Sequence, residues 1–300
     1  MISRSWACSF PPSQFTACQG KLLLAFSDEG DARYNAKRRK RMREERVMNE
    51  EEKYLFDLWG YLVIENAIPP EALARMNAWL DEQALRDPAW SGQPENTKRT
   101  DLLTWGPDFL ALLDHPRLLP MLKAILGSHM RFDHDYAIFL TPGGEGLFLH
   151  GGGTPYDASQ SYHVIKDRIY SGLAVAVFAL NDVPLGAGGF ACIPGSHKSN
   201  FRCPEDIALL HRPHPIVQQV PLRTGDCLLF TEALQHGTLP WKGPHTRRSL
   251  YMKYSPAHLR WGIHSYTPGS PAFATIEPSL NETQRVLLDP PLVDGKRRVP

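Results

Sequence analysis

The pattern of apolar and polar residues divides the chain into a helical first part and a strand-rich second part. Apolar residues recur at helical spacing in EEEKYLFDLWG and in PPEALARMNAWLDEQAL, where Pro70 and Glu71 suit a first helical turn. Between these segments, YLVIENA has the β-branched and aromatic residues of a short strand. A further segment, PDFLALLDHPRLLPMLKAILG, predicts one or two helices with a break at Pro116.

From Met130 onward, short β-rich runs alternate with turns that contain glycine or proline. Seven runs follow one another: RFDHDYAIFLTP, GLFLHGG, GLAVAVFALNDV, GGFACIPGS, IVQQVPLRTGDCLLF, HGTLPW and RRSLYMKYSP. Because no helical stretch of similar strength lies among them, an antiparallel sandwich or barrel is favoured. The sequence therefore predicts a mainly β protein with N-terminal helices (α+β) and a jelly-roll core.

The same change of pattern sets the expected domain boundaries. A domain-like passage begins at Met48, after a basic run, KRRKRMREER, which we interpret as a solvated tail. Whether that tail belongs to the natural protein is left open. The expected parts are a disordered basic extension (1–47), a single domain (48–268) with a helical part (48–129) and a jelly-roll core (130–256), and a proline-rich C-terminal tail (269–300).

Composition narrows the classes of partner. The 300 residues carry a net charge of +1, and residues 1–47 hold ten Lys and Arg against five Asp and Glu, so the rest of the chain is mildly acidic. We therefore expect no nucleic-acid partner, although a binder that uses the basic tail is an alternative. No apolar run approaches the roughly 20 residues needed to cross a bilayer, so no membrane partner is expected. Five cysteines without CxxC spacing favour a cytoplasmic location.

Two histidines and one arginine stand out by position. His150 closes a predicted strand, and His236 follows the strand and turn GDCLLFTEAL. They are 86 residues apart, but a jelly roll can place both strands in one sheet. Arg247 lies eleven residues after His236, at the start of the next predicted strand, while Arg248 should face the other side of that strand.

Over roughly Glu51 to Pro256 the sequence resembles the Fe(II)/2-oxoglutarate-dependent oxygenases, specifically the phytanoyl-CoA dioxygenase-like family. The resemblance is carried by LNDVPLGAGGFACIPGSHK and by TGDCLLFTEALQHGTLPWKGPHTRRSLYMKYSP. It implies a double-stranded β-helix, the cupin-like form of the jelly roll. It also implies Fe(II), 2-oxoglutarate and O₂, with succinate and CO₂ as co-products of the hydroxylation of a small molecule. The substrate itself cannot be inferred from the sequence, because substrate contacts lie in variable loops.

The resemblance also implies roles for individual residues. His150 and His236 would be the two iron-binding imidazoles, a ligand type that suits Fe(II). Arg247 would hold the distal carboxylate of 2-oxoglutarate, because a guanidinium fork matches a carboxylate. Thr238 would add a second hydrogen bond to that carboxylate.

One position departs from the family pattern and leaves three hypotheses open. Most members have aspartate two residues after the first histidine, and here that residue is Gly152. The site could lack a third ligand and bind chloride there, as in related halogenases. Another carboxylate could replace it, with Asp157 as the first candidate and Glu232 and Asp135 as further ones. Alternatively, the domain is a non-catalytic jelly-roll binding module.

Four residues are candidates for the substrate pocket or its surroundings: His197, Trp105, Glu232 and Asp135. His197 in PGSHK resembles a family position beside the site, although a histidine in a turn more often caps backbone groups. Trp105 could line a pocket, but aromatic residues are more often part of a core. Glu232 would need a partner if it were buried.

Overall fold

The computed structural model describes residues 48–95, 97–262 and 264–291; the predicted extension 1–47 and residues 292–300 lie outside them. The helices are, in chain order, α1 (Glu50–Trp59), α2 (Pro70–Arg86), α3 (Pro107–Leu110), α4 (Leu119–Leu126), α5 (Glu205–Ala208), α6 (Pro271–Ile276) and α7 (Glu282–Leu287). Asn49 caps α1 in a capping box, and Gly60 ends it with φ of 83°. The helices predicted before residue 130 are confirmed, and Pro116 separates α3 from α4.

Twelve strands form the β part of the domain. They are β1 (Tyr61–Ile64), β2 (Lys98–Arg99), β3 (Met130–Leu140), β4 (Leu147–His150), β5 (Tyr162–Ile165), β6 (Arg168–Ser171), β7 (Ala174–Ala179), β8 (Gly189–Cys192), β9 (Gln218–Gln219), β10 (Cys227–Thr231), β11 (His236–Leu239) and β12 (Arg247–Pro256). The large sheet has the order β1-β10-β7-β12-β3-β2, and the small sheet has the order β4-β11-β8-β9. Their named strand pairs are antiparallel.

The two faces of the large sheet cover two different cores. Alternate residues of β3 and β12 point to opposite faces, so Ile138 and Tyr251 join an inner core that includes Phe190 of the small sheet. Phe139 and Met252 join an outer core between the large sheet and the helices. The predicted jelly roll is therefore confirmed, and the inner core lies between its two sheets.

Each of the seven predicted β-rich runs contains a strand. The β5–β6 hairpin was not predicted; Lys166 and Asp167 form its turn with φ of 50° and 60°. Both positive values suit a two-residue hairpin turn, but the sequence lacks the asparagine or glycine that usually signals one.

The segment after residue 268 is packed rather than extended. Helices α6 and α7 bury Ile276, Val286 and Leu287. Asn281 caps α7 in a capping box, and its side chain also donates a hydrogen bond to Asp114. Across the part of the chain that the structure describes, no helix is both long and apolar enough to span a membrane.

Candidate metal centre

Three side chains from three places in the sequence converge at the open end of the inner core. One ligand atom each from His150, Glu232 and His236 lies within 4.8 Å of the other two. His150 ends β4 and His236 begins β11, and the two residues face each other in the antiparallel register. Glu232 follows the last residue of β10. Strand pairing therefore brings together residues that are far apart in the chain.

Both imidazoles are oriented by backbone carbonyls. His150 Nδ1 lies 3.2 Å from the Phe148 oxygen, and His236 Nδ1 lies 2.6 Å from the Leu234 oxygen. When Nδ1 donates its proton to a carbonyl, the lone pair is on Nε2, the arrangement found in metal-binding histidines. Burial lowers the pKa of both rings, to about 3 for His236, so both are neutral as metal binding requires.

The carboxylate of Glu232 is buried and paired with a buried lysine. Lys253 Nζ donates to both oxygens, at 3.0 and 2.9 Å, and each side chain is at most 5% exposed. Burial alone would raise the pKa of Glu232, but the paired Lys253 ammonium outweighs it and lowers that pKa to about 2. Glu232 is therefore an anion that points at the two imidazoles.

The Gly152 position is closed to a larger residue. Its φ is 97°, and a Cβ atom there would lie 2.6 Å from the side-chain oxygen of Gln235. The Gln235 amide nitrogen in turn donates to the Leu149 carbonyl, at 3.1 Å. A side chain at residue 152 would thus need both a left-handed backbone and a displaced neighbour.

The structure does not bring Asp157, the first candidate for a replacement ligand, to the histidines. Asp157 is exposed, and one of its oxygens accepts hydrogen bonds from the backbone nitrogen and the hydroxyl of Ser159, at 2.7 and 2.5 Å. It caps a short 3₁₀ helix, Ala158–Gln160. These hydrogen bonds lower the pKa of Asp157. Its role in this conformation is local.

Arg247 is buried with two of its nitrogens free. The residue is 2% exposed, and Nε and Nη2 have no hydrogen-bond partner among the described residues. Its Nη1 lies 3.5 Å from where a Cβ of Gly189 would be, and Gly189 pairs with Leu239. Arg247 thus reaches the Leu239 end of β11. This end is three residues, or about 10 Å, from His236, which begins the strand.

Thr238 lies between these two points. It is 6% exposed, and the regular pairing of β11 with β8 puts it on the same face as His236. A five-carbon dicarboxylate that binds a metal at the histidines would reach past Thr238 to the Arg247 guanidinium. The donor set and the unpaired guanidinium therefore fit iron and 2-oxoglutarate. Arg248 faces the helices instead, where it binds Asn77 and Asp81.

Three other candidates lie outside this cluster. Asp135 is on the outer face of β3 and accepts a 2.6 Å hydrogen bond from the Tyr266 hydroxyl. Burial raises its pKa to about 7. Trp105 belongs to the outer core, stacked on Trp79 at 5.4 Å. Both side chains face the helices. These positions conflict with the hypotheses that Asp135 is a metal ligand and that Trp105 lines the pocket.

His197 also has a packing role in the structure. Its Nε2 lies 3.1 Å from the Asp57 carbonyl, and its ring meets the Tyr162 ring edge to face, with centroids 4.6 Å apart. Burial lowers its pKa to about 4. His197 links the PGSHK turn to α1 and does not belong to the three-residue cluster.

Sequence reasoning missed Tyr251, Lys253 and Lys98, which together with Tyr136 form an aromatic and cationic wall around Glu232. Tyr136 and Tyr251 stack with centroids 4.7 Å apart, and Lys253 Nζ lies 5.7 Å from Tyr136 and 5.2 Å from Trp261. Lys98 Nζ lies 4.3 Å from the Tyr136 centroid. The alternation along β12 was an available signal, since Tyr251 and Lys253 share the face of Arg247.

A protein-family profile and several solved structures are similar to this chain. The profile of the family described as Phytanoyl-CoA dioxygenase (PhyH) matches residues 56–249. HygX from Streptomyces hygroscopicus, with nickel and 2-oxoglutarate bound, is 26% identical with a TM-score of 0.64, over 71% of this chain and 89% of HygX. A HygX structure that also contains hygromycin B covers the same shares at 26% identity and a TM-score of 0.61.

A more distant structure agrees on the fold. SnoK, a non-heme alpha ketoglutarate dependent carbocyclase from nogalamycin biosynthesis, is 18% identical with a TM-score of 0.54, over 73% of this chain and 90% of SnoK. The family profile spans most of the helical part and the jelly roll, including both histidines and Arg247. The chain belongs to the phytanoyl-CoA dioxygenase (PhyH) family and is a 2-oxoglutarate-dependent dioxygenase.

Proposed function

We propose that this protein hydroxylates a small molecule, using Fe(II), 2-oxoglutarate and O₂ and releasing succinate and CO₂. One observation carries the proposal: two neutral imidazoles present ligand atoms within 4.8 Å of each other, and the buried Arg247 guanidinium, with unpaired nitrogens, reaches from β12 to the Leu239 end of β11. A buried, unpaired cation is costly unless a ligand neutralises it.

Different residues would bind the metal and 2-oxoglutarate. His150 and His236 hold the metal, and their hydrogen bonds to Phe148 and Leu234 keep the rings in place. Arg247, with the Thr238 hydroxyl, takes the distal carboxylate of 2-oxoglutarate. Iron, when bound with 2-oxoglutarate and O₂, supplies the oxidising chemistry.

The surroundings of His236 exclude water from the centre. Its ring packs against Phe190 and Phe230, with centroids 5.9 and 4.6 Å away. Phe148, which is 51% exposed, lies beside the His150 ring at the edge of the small sheet. An apolar, partly open entrance of this kind suits a small molecule, and the binding of hygromycin B by HygX supports that class of substrate.

Metal-dependent turnover of 2-oxoglutarate tests the proposal. Anaerobic addition of Fe(II) and 2-oxoglutarate should produce a visible metal-to-ligand charge-transfer band, and succinate should form in air. His236→Ala should lose both signals, whereas His163→Ala, an exposed histidine on β5, should keep them. Undiminished succinate formation by His236→Ala would contradict the proposal. A protein that forms no band and no succinate would be a binding module.

Chloride distinguishes hydroxylation from halogenation in the same experiment. If the position beside Gly152 bound a halide, the band would shift or tighten with chloride. Because Glu232 already supplies a negative charge beside the histidines, we expect the band to be indifferent to chloride. A band that does depend on chloride would support halogenation instead.

A further inference from the structure

We infer that Glu232 is the third metal ligand, replacing the aspartate that most of the family carries two residues after the first histidine. The inference rests on the proposed metal site of His150 and His236, and it names a ligand that comes from the turn after β10 instead of the loop after β4. His150, His236 and Glu232 would then supply three protein ligands, which leaves the other positions of the metal for 2-oxoglutarate and O₂ and requires no halide beside Gly152.

The distances allow one ion to bind all three side chains. Glu232 Oε1 lies 3.9 Å from His236 Nε2, and the three ligand atoms are within 4.8 Å of one another. Two donors that bind one ion at about 2.1 Å are roughly 3 to 4 Å apart, depending on the angle between them. The carboxylate therefore needs only a small adjustment to join the imidazoles.

A side chain at the usual ligand position would be strained. Gly151 and Gly152 have φ of 82° and 97°, and a Cβ at Gly152 would lie 2.6 Å from Gln235 Oε1. A Cβ at Gly151 would lie 2.6 Å from the Leu234 carbonyl. The turn that carries Glu232 thus packs against the glycine loop at Gly151, where any side chain would meet the backbone of that turn.

Lys253 explains how this carboxylate is tolerated before metal binds. A carboxylate buried without a partner would be strongly unfavourable, and Lys253 neutralises it at 2.9 Å. A carboxylate has about four lone-pair sites, so Glu232 can accept from Lys253 and still bind an ion. Tyr136 and Trp261 flank the ammonium, which is shielded from water with Glu232 fixed beside it.

Titration of the full-length apoprotein with Ni(II) tests the ligand assignment without using activity. Glu232→Gln keeps the shape of the side chain and removes its charge. Loss of a direct ligand should exceed the 10–100-fold typical of an outer partner, so we expect an affinity loss of about 100-fold or more. Asp157→Asn, the matched removal of a carboxylate from the glycine-rich loop, should leave the affinity unchanged.

Two further variants control for the case in which Glu232→Gln does not fold because Lys253 is left unpaired. Glu232→Gln/Lys253→Met removes both charges, a change that is often nearly neutral for stability. This double variant should fold and bind Ni(II) weakly, whereas Lys253→Met alone should still bind one equivalent. If the double variant binds Ni(II) as tightly as the natural protein while His236→Ala does not, Glu232 is not a ligand although the proposed site is right. If His236→Ala also binds normally, the proposed site itself is wrong.

The role of Lys253 as counter-ion has its own measurement. Without Lys253, a bound metal would become the main charge that neutralises Glu232. The rise in Tm that Ni(II) produces should therefore be larger in Lys253→Met than in the natural protein. A lysine that only fills space would lower Tm equally with and without Ni(II), and that result would overturn this role.

Discussion

Arg131 and Arg247 are two fully buried arginines at opposite ends of the same pair of strands. Arg131 pairs with Ser255 and Arg247 pairs with Leu140 in the β3–β12 register. Arg131 contacts the Asp133 carboxylate at 3.4 Å and His264 at 3.2 Å, and it donates to the Asp289 carbonyl. Arg247 is equally inaccessible, but Nε and Nη2 have no partner among the residues that the structure describes.

The difference separates a structural charge from one that awaits a ligand. A guanidinium cannot lose its proton in a protein, so burial must be compensated by partners. Arg131 has its partners in the chain and fastens the C-terminal segment to β3. Arg247 lacks them, which we interpret as a binding site for the carboxylate of 2-oxoglutarate.

Removing the structural arginine should have the largest effect. Arg131→Met leaves Asp133 buried beside fewer positive partners, and breaking such a pair typically costs about 3–5 kcal/mol. The free energy of unfolding, measured by urea denaturation, should fall by that amount, while the affinity for 2-oxoglutarate in the folded protein stays the same. A loss of less than about 1 kcal/mol would mean that Asp133 is held by its other contacts, with His134 and with the backbone nitrogens of Trp261 and Gly262.

Removing Arg247 should have the opposite effect: binding of 2-oxoglutarate should weaken while stability is kept. Arg247→Met should weaken binding of 2-oxoglutarate by about 100-fold, because a charge-assisted, two-pronged contact is lost. Stability should be unchanged or higher, since an unpaired buried charge is replaced by an apolar side chain. Titration of 2-oxoglutarate into the Ni(II)-loaded protein measures the first effect. If Arg247→Met instead destabilised the fold as Arg131→Met does, the two arginines would not differ in kind.

Asp135 differs from both buried arginines because a proton can neutralise its side chain. Burial raises its pKa to about 7, from 3.8 in the unfolded chain. The folded state therefore holds a proton between about pH 4 and 7 that the unfolded state has released, so this residue makes stability fall as pH rises through that range. Asp135→Asn should remove about 2–3 kcal/mol of that decline between pH 5 and pH 7.5. Urea denaturation of both proteins at pH 5 and pH 7.5 checks the sign; equal slopes would show that Asp135 stays charged.

Local signals were sufficient to predict the fold and the strands whose ends bring His150 and His236 together. The strands around His150 and His236 alternate in a way that sequence alone reveals, and strand pairing in a jelly roll then brings their ends together. The C-terminal packing and the β5–β6 hairpin were missed, because short helices rich in proline and a hairpin turn without glycine carry weak signals.

The rest of the site depends on contacts between distant residues. Glu232 was one of three carboxylates that could replace the missing aspartate. Tertiary contacts distinguish it from Asp157, because Glu232 is buried beside the two histidines and paired with Lys253 of another strand. Asp135 was placed near the metal by its neighbourhood in sequence, yet its position in β3 puts it on the outer face. Side chains alternate between the two faces of a sheet, so a shift of one residue in the strand register moves a side chain to the other face. That register is set by pairing with strands that are distant in the sequence.

Replacing Thr238 should have the smallest effect on binding of 2-oxoglutarate. It tests whether this residue contacts the same carboxylate as Arg247. Thr238→Val keeps the β-branched shape that suits β11 and removes only the hydroxyl. One hydrogen bond to a carboxylate should be lost, so binding of 2-oxoglutarate should weaken by about threefold to tenfold while Ni(II) affinity is unchanged. Combined with Arg247→Met, the Thr238 change should cost less than it does alone, because both residues contact one carboxylate and their effects are coupled. Strictly additive losses would place the hydroxyl and the guanidinium on different parts of the ligand.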